Sequence, residues 1–141
     1  MTAKLFQSFQ QALRERKAYT LPPATVDDIR RCEQRLGVRL PPEMREYFLQ
    51  MNGTDGMDNE LIYFWPLDEL TSEKLTDDSA CLVFGDWSIC AGRYGMALAP
   101  DPWGEHSIVA LGRPAAPHRL ASGLPQFIEK YIGDPLSLVV Y

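Results

Sequence analysis

The amino-acid sequence predicts an α+β fold: a single domain over residues 1–141, with N-terminal helices and a C-terminal helix packed on a largely antiparallel or mixed β-sheet. Three observations predict it. Apolar residues recur at helical spacing through residues 1–53, the pattern turns extended and rich in β-formers from Leu61 onward, and a helical stripe returns between Ser122 and Ile132. A chain of 141 residues has the length of one domain, and 45% hydrophobic against 23% charged residues suits a chain that buries a core.

Each element has a local reason. In residues 4–16, Leu5, Phe9 and Leu13 form one apolar stripe on a polar helix, which Leu21-Pro22-Pro23 stops. Thr25 followed three residues later by Asp28 is a helix start, because the hydroxyl caps free amides and the carboxylate suits the positive helix end. That helix spans 26–36 and closes at Gly37. Pro41-Pro42 restarts a helix, since the first turn leaves its amide hydrogens unpaired anyway. Met44, Tyr47, Phe48 and Met51 give it a buried stripe, and Asn52-Gly53 ends it.

Residues 61–65, rich in β-formers and closed by Pro66, read as the first strand. Strands are expected at 82–84, 87–91, 94–99 and 107–111, with Gly92-Arg93 as a two-residue hairpin turn in an antiparallel meander. In residues 122–132, Leu124, Phe127, Ile128 and Tyr131 give a helix an apolar face for the sheet, with Gly133 as terminator. Residues 136–141 are expected to add an edge strand.

Composition narrows function. No apolar run approaches the ~20 residues of a membrane-spanning helix, and residues 1–17 lack the unbroken apolar core of a secretory signal, so a cytoplasmic protein is expected. Cys32, Cys81 and Cys90 are odd in number, sit in apolar patterns and form no Cys-x-x-Cys pair, which reads as reduced buried thiols. Net charge is −5, unevenly spread. Residues 1–54 carry nine Lys/Arg against six Asp/Glu, whereas 55–86 carry nine carboxylates (Asp55, Asp58, Glu60, Asp68, Glu69, Glu73, Asp77, Asp78, Asp86) against Lys74 alone. Such an acidic sector disfavours nucleic acid and favours a basic protein partner.

The run Ile29-x-x-x-Glu33-x-x-Leu36-Gly37-x-x-Leu40-Pro41, then Phe48-Leu49-x-x-Asn52-Gly53, resembles the N-terminal signature of the SUKH superfamily, the Smi/Knr-type domain. Phe64-Trp65-Pro66-Leu67 is similar to that family's first strand and exit, Gly92 to Leu98 to its central hairpin, and Leu120 to Ile132 to its closing helix. The resemblance covers residues 25–133. It implies an α+β domain without enzymatic activity. It further implies a bacterial immunity protein that neutralises a toxin, or alternatively a regulatory or scaffolding module. The signature residues themselves read as structural.

Catalytic readings are weaker than bland ones. Asp101, Glu105 and His106 share one loop, but three ligands plus second-shell partners are needed for a catalytic zinc, and a polar hairpin loop accounts for them. Adjacent carboxylates such as Asp68-Glu69 and Asp77-Asp78 rarely converge on one glycosidic bond. No catalytic residue, metal or cofactor is expected. The candidate partner-binding residues are Asp55, Asp58, Glu60, Asp68, Glu69, Asp77 and Asp78, which would steer a basic toxin domain, with Trp65 and Trp103 as outward anchors.

Overall fold

The computed structural model describes residues 1–75, 79–98, 106–112 and 117–139. Helices α1 (Ala3–Glu15), α2 (Val26–Leu36) and α3 (Pro42–Gln50) come first. Strands β1 (Ile62–Phe64), β2 (Thr71–Lys74), β3 (Ala80–Trp87), β4 (Gly92–Ala97), β5 (Ile108–Gly112) and β6 (His118–Ala121) follow, and α4 (Leu124–Gly133) comes after them. Short 3-10 helices occupy Leu67–Glu69 and Pro135–Leu138. This is the α+β architecture the sequence predicts, with every strand pair antiparallel.

The helical hairpin forms as local chemistry dictates. The Asp28 amide donates to the Thr25 hydroxyl at 3.1 Å while the Thr25 amide donates to the Asp28 carboxylate at 2.8 Å, closing a reciprocal cap on α2. Gly37 ends α2 in the left-handed region at φ 68°. At the end of α3, Asn52 accepts a hydrogen bond from the Leu67 amide at 2.8 Å, and a Cβ on Gly53 would lie 2.6 Å from the Phe64 and Trp65 backbone. The helix itself ends earlier than expected, at Gln50 with an extended Met51 as its cap, so Asn52-Gly53 serves to join the helical layer to the first strand.

The sheet runs β1-β3-β4-β5-β6, and β2 pairs with β3 as well. The two short strands pair with successive halves of β3: β1 faces Gly85–Trp87 and β2 faces Ala80–Val83. Opposite β4 the register steps from Val83↔Gly95 to Gly85↔Tyr94, leaving Phe84 as an extra residue. That bulge places the Phe84 ring 5.5 Å from Phe127 of α4, where Tyr94 also stands at 5.2 Å. Phe64 meets Phe9 of α1 at 5.2 Å and Tyr131 of α4 at 5.1 Å, so edge-to-face aromatics bind α1 and α4 to the sheet.

Three sequence expectations are corrected. The β3–β4 turn lies at residues 88–91, not at Gly92-Arg93, and the strand expected at 87–91 ends at Trp87. Gly92 instead pairs with Trp87 on one side and Gly112 on the other, so ladder pairing outweighs the turn preference of glycine. The expected terminal strand begins as the 3-10 helix Pro135–Leu138, because Pro135 has no amide to give a ladder and the Asp134 carboxylate accepts from the Leu136 amide at 3.1 Å. Its last residues, 140 and 141, lie outside the described residues. Strands β2 and β6, short and partly polar, carry no pattern that singles them out.

Candidate partner-binding surface

The carboxylates of the acidic sector divide into buried and exposed groups. Asp58 is buried, accepts from the Glu60 and Ile62 amides at 2.8 and 2.9 Å, and receives the Tyr131 hydroxyl. Burial, then the hydrogen bond to Asp58, push the Tyr131 phenol above its ordinary range, so it stays a donor. Arg16 lies 4.7 Å over the Tyr131 ring and donates to the Ile132 carbonyl at 3.0 Å. Asp86 is also buried, accepting from the Trp65 indole at 2.6 Å and the Cys90 amide at 3.3 Å.

Two expected partner residues are thereby corrected. Asp58 is an internal acceptor that ties the 54–61 loop to α4, and Trp65 is 9% exposed with its indole nitrogen turned inward to Asp86. Strand alternation alone placed Trp65 outward, but its amide donates to the Phe84 carbonyl of β3 at 2.9 Å and its indole reaches Asp86 of the same strand.

Asp55 is exposed and Glu60 is half-buried, and both lie on the loop that Asp58 holds. Asp68 and Glu69 are exposed on the 3-10 helix Leu67–Glu69, where Glu69 accepts the Tyr63 hydroxyl and Asp68 shares a cleft of about 470 Å³ with Arg31 and Arg35. Asp77, Asp78 and Trp103 lie outside the described residues, as do Asp101 and Glu105.

What the exposed carboxylates border is a tip stitched from three segments by backbone hydrogen bonds. The Asp55 amide donates to the Tyr19 carbonyl at 2.8 Å, the Asn59 amide to the Arg16 carbonyl at 2.8 Å, and the Ser88 amide to the Leu61 carbonyl at 2.9 Å. Four large apolar side chains are exposed on these segments: Tyr19, Met57, Leu61 and, at 79% exposure, Ile89. The backbone is strained in the same place. Lys17, Leu61, Ser88, Ile89 and Cys90 all hold φ between 52° and 67°, the left-handed region that non-glycine residues avoid and a β-branched one avoids most.

Composition could not have found this tip. Ile89 and Leu61 belong to runs that read as strand, and their exposure follows from a turn whose location tertiary pairing decides. The strained φ of Ser88, Ile89 and Cys90 has no sequence signal at all.

Cys32 and Cys81 are buried free thiols as expected, whereas Cys90 at the tip is exposed, which corrects the expectation of a third buried thiol. Burial pushes the Cys81 thiol up to about 11. Burial, with the nearby Asp86 carboxylate, raises Cys90, and burial raises Cys32 against the pull of Arg35. Among the described residues no group of three or more metal-ligating side chains converges. No helix among them is long and apolar enough to cross a membrane.

With the helical hairpin, the antiparallel sheet and the closing helix in place, the family comparison is decisive: the model of the SMI1 / KNR4 family (SUKH-1) matches residues 23–130. The chain belongs to this family. The match begins at the proline pair before α2 and ends within α4, so it takes in the sheet, α2, α3 and most of α4. A comparison with curated proteins finds none that matches. SUKH domains are protein-interaction domains, immunity proteins among them, and are generally non-catalytic.

In this SUKH-1 chain Glu33 of the signature and its neighbour Arg35 hold the scaffold. Glu33 accepts from the Leu40 amide at 2.7 Å and from Arg45 at 2.9 Å, fixing the α2–α3 connection. Arg35 donates to the Leu67 and Leu70 carbonyls at 2.8 and 2.9 Å, tying α2 to the 3-10 helix that leads into β2.

Proposed function

We propose that this SUKH-1 protein is a cytoplasmic immunity protein that binds a basic toxin domain and blocks it sterically and electrostatically. The observation that carries the reading is the tip: apolar Leu61 and Ile89 exposed on strained backbone, exposed Met57 beside them, with Asp55 and Glu60 alongside and Asp58 and Asp86 bracing it from within. Strained, solvent-exposed apolar side chains lower stability, and such outliers persist mainly where binding uses them. Exposed apolar anchors enter a partner's pocket and displace water, while carboxylates around them stand in for substrate phosphates if the toxin is a nuclease. Asp68 and Glu69 extend the negative border, adding to long-range steering of a basic partner.

The test is inhibition and binding kinetics with the cognate toxin domain. Replacing Asp55, Glu60, Asp68 and Glu69 together by Lys is expected to slow association roughly tenfold or more at low salt, with little change at high salt. Ile89→Ala is expected to raise the dissociation rate about tenfold. Unchanged rates in both variants would sink the tip as the binding surface. A chain that fails to protect cells from any toxin encoded beside it, yet holds a housekeeping partner through the same tip, would be a regulatory module instead.

A further inference from the structure

A second surface, on the helical layer, has the opposite character. Between α2 and α3 lies a groove of about 670 Å³ lined by Val26, Ile29 and Leu49, with Arg30, Arg39 and Arg45 among its other lining residues. Val26 is 62% exposed and Leu49 41%, so two large apolar side chains face open water here. The single carboxylate lining the groove, Glu33, is already occupied by Arg45 and the Leu40 amide. Arg39 makes no hydrogen bond or ion pair among the described residues. The Nε of Arg45 is buried without a partner, and Arg30 is engaged only in a solvent-exposed pair with Asp27 at 3.0 Å, which gives little stability and is readily exchanged.

We propose that this groove docks an acidic amphipathic segment of a partner protein, apolar side chains seated between Val26, Ile29 and Leu49 and carboxylates meeting Arg39 and Arg45. The volume accommodates a few side chains, as in helix-in-groove recognition. Charge complementarity selects the occupant: three guanidinium groups surround an apolar floor whose only carboxylate is spent. A nucleic-acid strand is a poorer fit, because bases bind by stacking on aromatic rings and no aromatic residue lines the groove. The two surfaces thus have opposite charge preferences, so the groove serves a different ligand from the tip.

The experiment titrates the isotope-labelled full chain with a short synthetic amphipathic helix carrying leucines on one face and glutamates on the other. Its lysine counterpart is the control, and amide chemical shifts are the readout. Shifts confined to α2 and α3, absent with the lysine peptide, are expected. Arg39→Glu, at an exposed and unpaired position, is expected to weaken binding roughly fivefold to tenfold, and Leu49→Ala by a smaller factor. The proposal is overturned if shifts fall on residues 54–61 and 88–91, if Arg39→Glu binds equally well, or if a single-stranded oligonucleotide displaces the peptide. Self-association of the free chain that Arg39→Glu abolishes would also overturn it, since the occupant would then be a second copy. The tip reading is tested separately, because Asp55→Lys and Ile89→Ala leave the groove untouched.

Discussion

The α2–α3 hairpin and the strained tip are opposite ways of building a surface. In the hairpin every residue does what its own chemistry prefers: Thr25 and Asp28 cap, Gly37 takes positive φ, and Pro42 opens a helix. At the tip Leu61, Ser88, Ile89 and Cys90 are held where isolated residues of their kinds do not go. Two buried carboxylates do the holding, Asp58 for the 54–61 loop and Asp86 for the turn after Trp87. The difference teaches that one molecule can build surfaces by local preference and by long-range constraint side by side. Local preference accounts for the first surface completely, and only the rest of the molecule accounts for the second.

Removing the brace is the strongest way to break that comparison. Asp58→Ala orphans the buried Ile62 amide and Tyr131 hydroxyl and the half-buried Glu60 amide, and is expected to cost about 3 kcal/mol in urea unfolding. Hydrogen exchange at the Glu60 and Ile62 amides should accelerate beyond what the global loss accounts for, while α2 and α3 keep their order relative to the rest. Equal acceleration everywhere would mean that Asp58 supports the whole fold and not the tip in particular.

That asymmetry also sets how far the chain was readable from its sequence. The bounds of α2 and the start of α3 are legible because capping hydroxyls, prolines and a left-handed glycine act within a few residues, whereas α3 ends at Gln50, ahead of the expected Asn52-Gly53. The turn at 88–91 did not, because Gly92 offered the better local turn and only its pairing with Trp87 and Gly112 overrides it. The same limit governs the site. Counting carboxylates along residues 55–86 found the acidic sector, yet could not tell exposed Asp55 from buried Asp58 three residues on. Spacing alone offers Trp65 as an anchor, whereas β3 takes both its amide, at the Phe84 carbonyl, and its indole, at Asp86.

A smaller effect of opposite sign sharpens the contrast. Ile89→Gly removes a β-branched residue from φ 55° and exposes no core, so it is expected to stabilise by about 1 kcal/mol, a rise of roughly 2–4 °C in Tm. The same change should weaken toxin binding, because the most exposed apolar side chain is gone. Stability gained and affinity lost together would mark the strain as functional, whereas lower stability would show that Ile89 packs usefully at the tip.

The smallest effect belongs to the relaxed surface and depends on pH. Burial acts to raise the Glu33 carboxyl, but the Arg45 hydrogen bond, the Leu40 amide and the charges of Arg45 and Arg39 outweigh it and hold the group below the ordinary glutamate range. A carboxyl whose folded value is depressed adds stability that is fully present above its unfolded value and is lost as pH falls through the folded one. Glu33→Gln keeps an acceptor for the Leu40 amide and removes only the charge. It is expected to cost about 0.5–1 kcal/mol at neutral pH, since water screens this half-exposed pair, and to match the parent once the pH is well below the usual glutamate range. The same variant raises the positive charge of the groove, so it should bind the acidic peptide more tightly while toxin association at the tip is unchanged. An identical pH profile for the two proteins would show that the Glu33 charge adds nothing to the hairpin, leaving its caps and glycine to hold it alone.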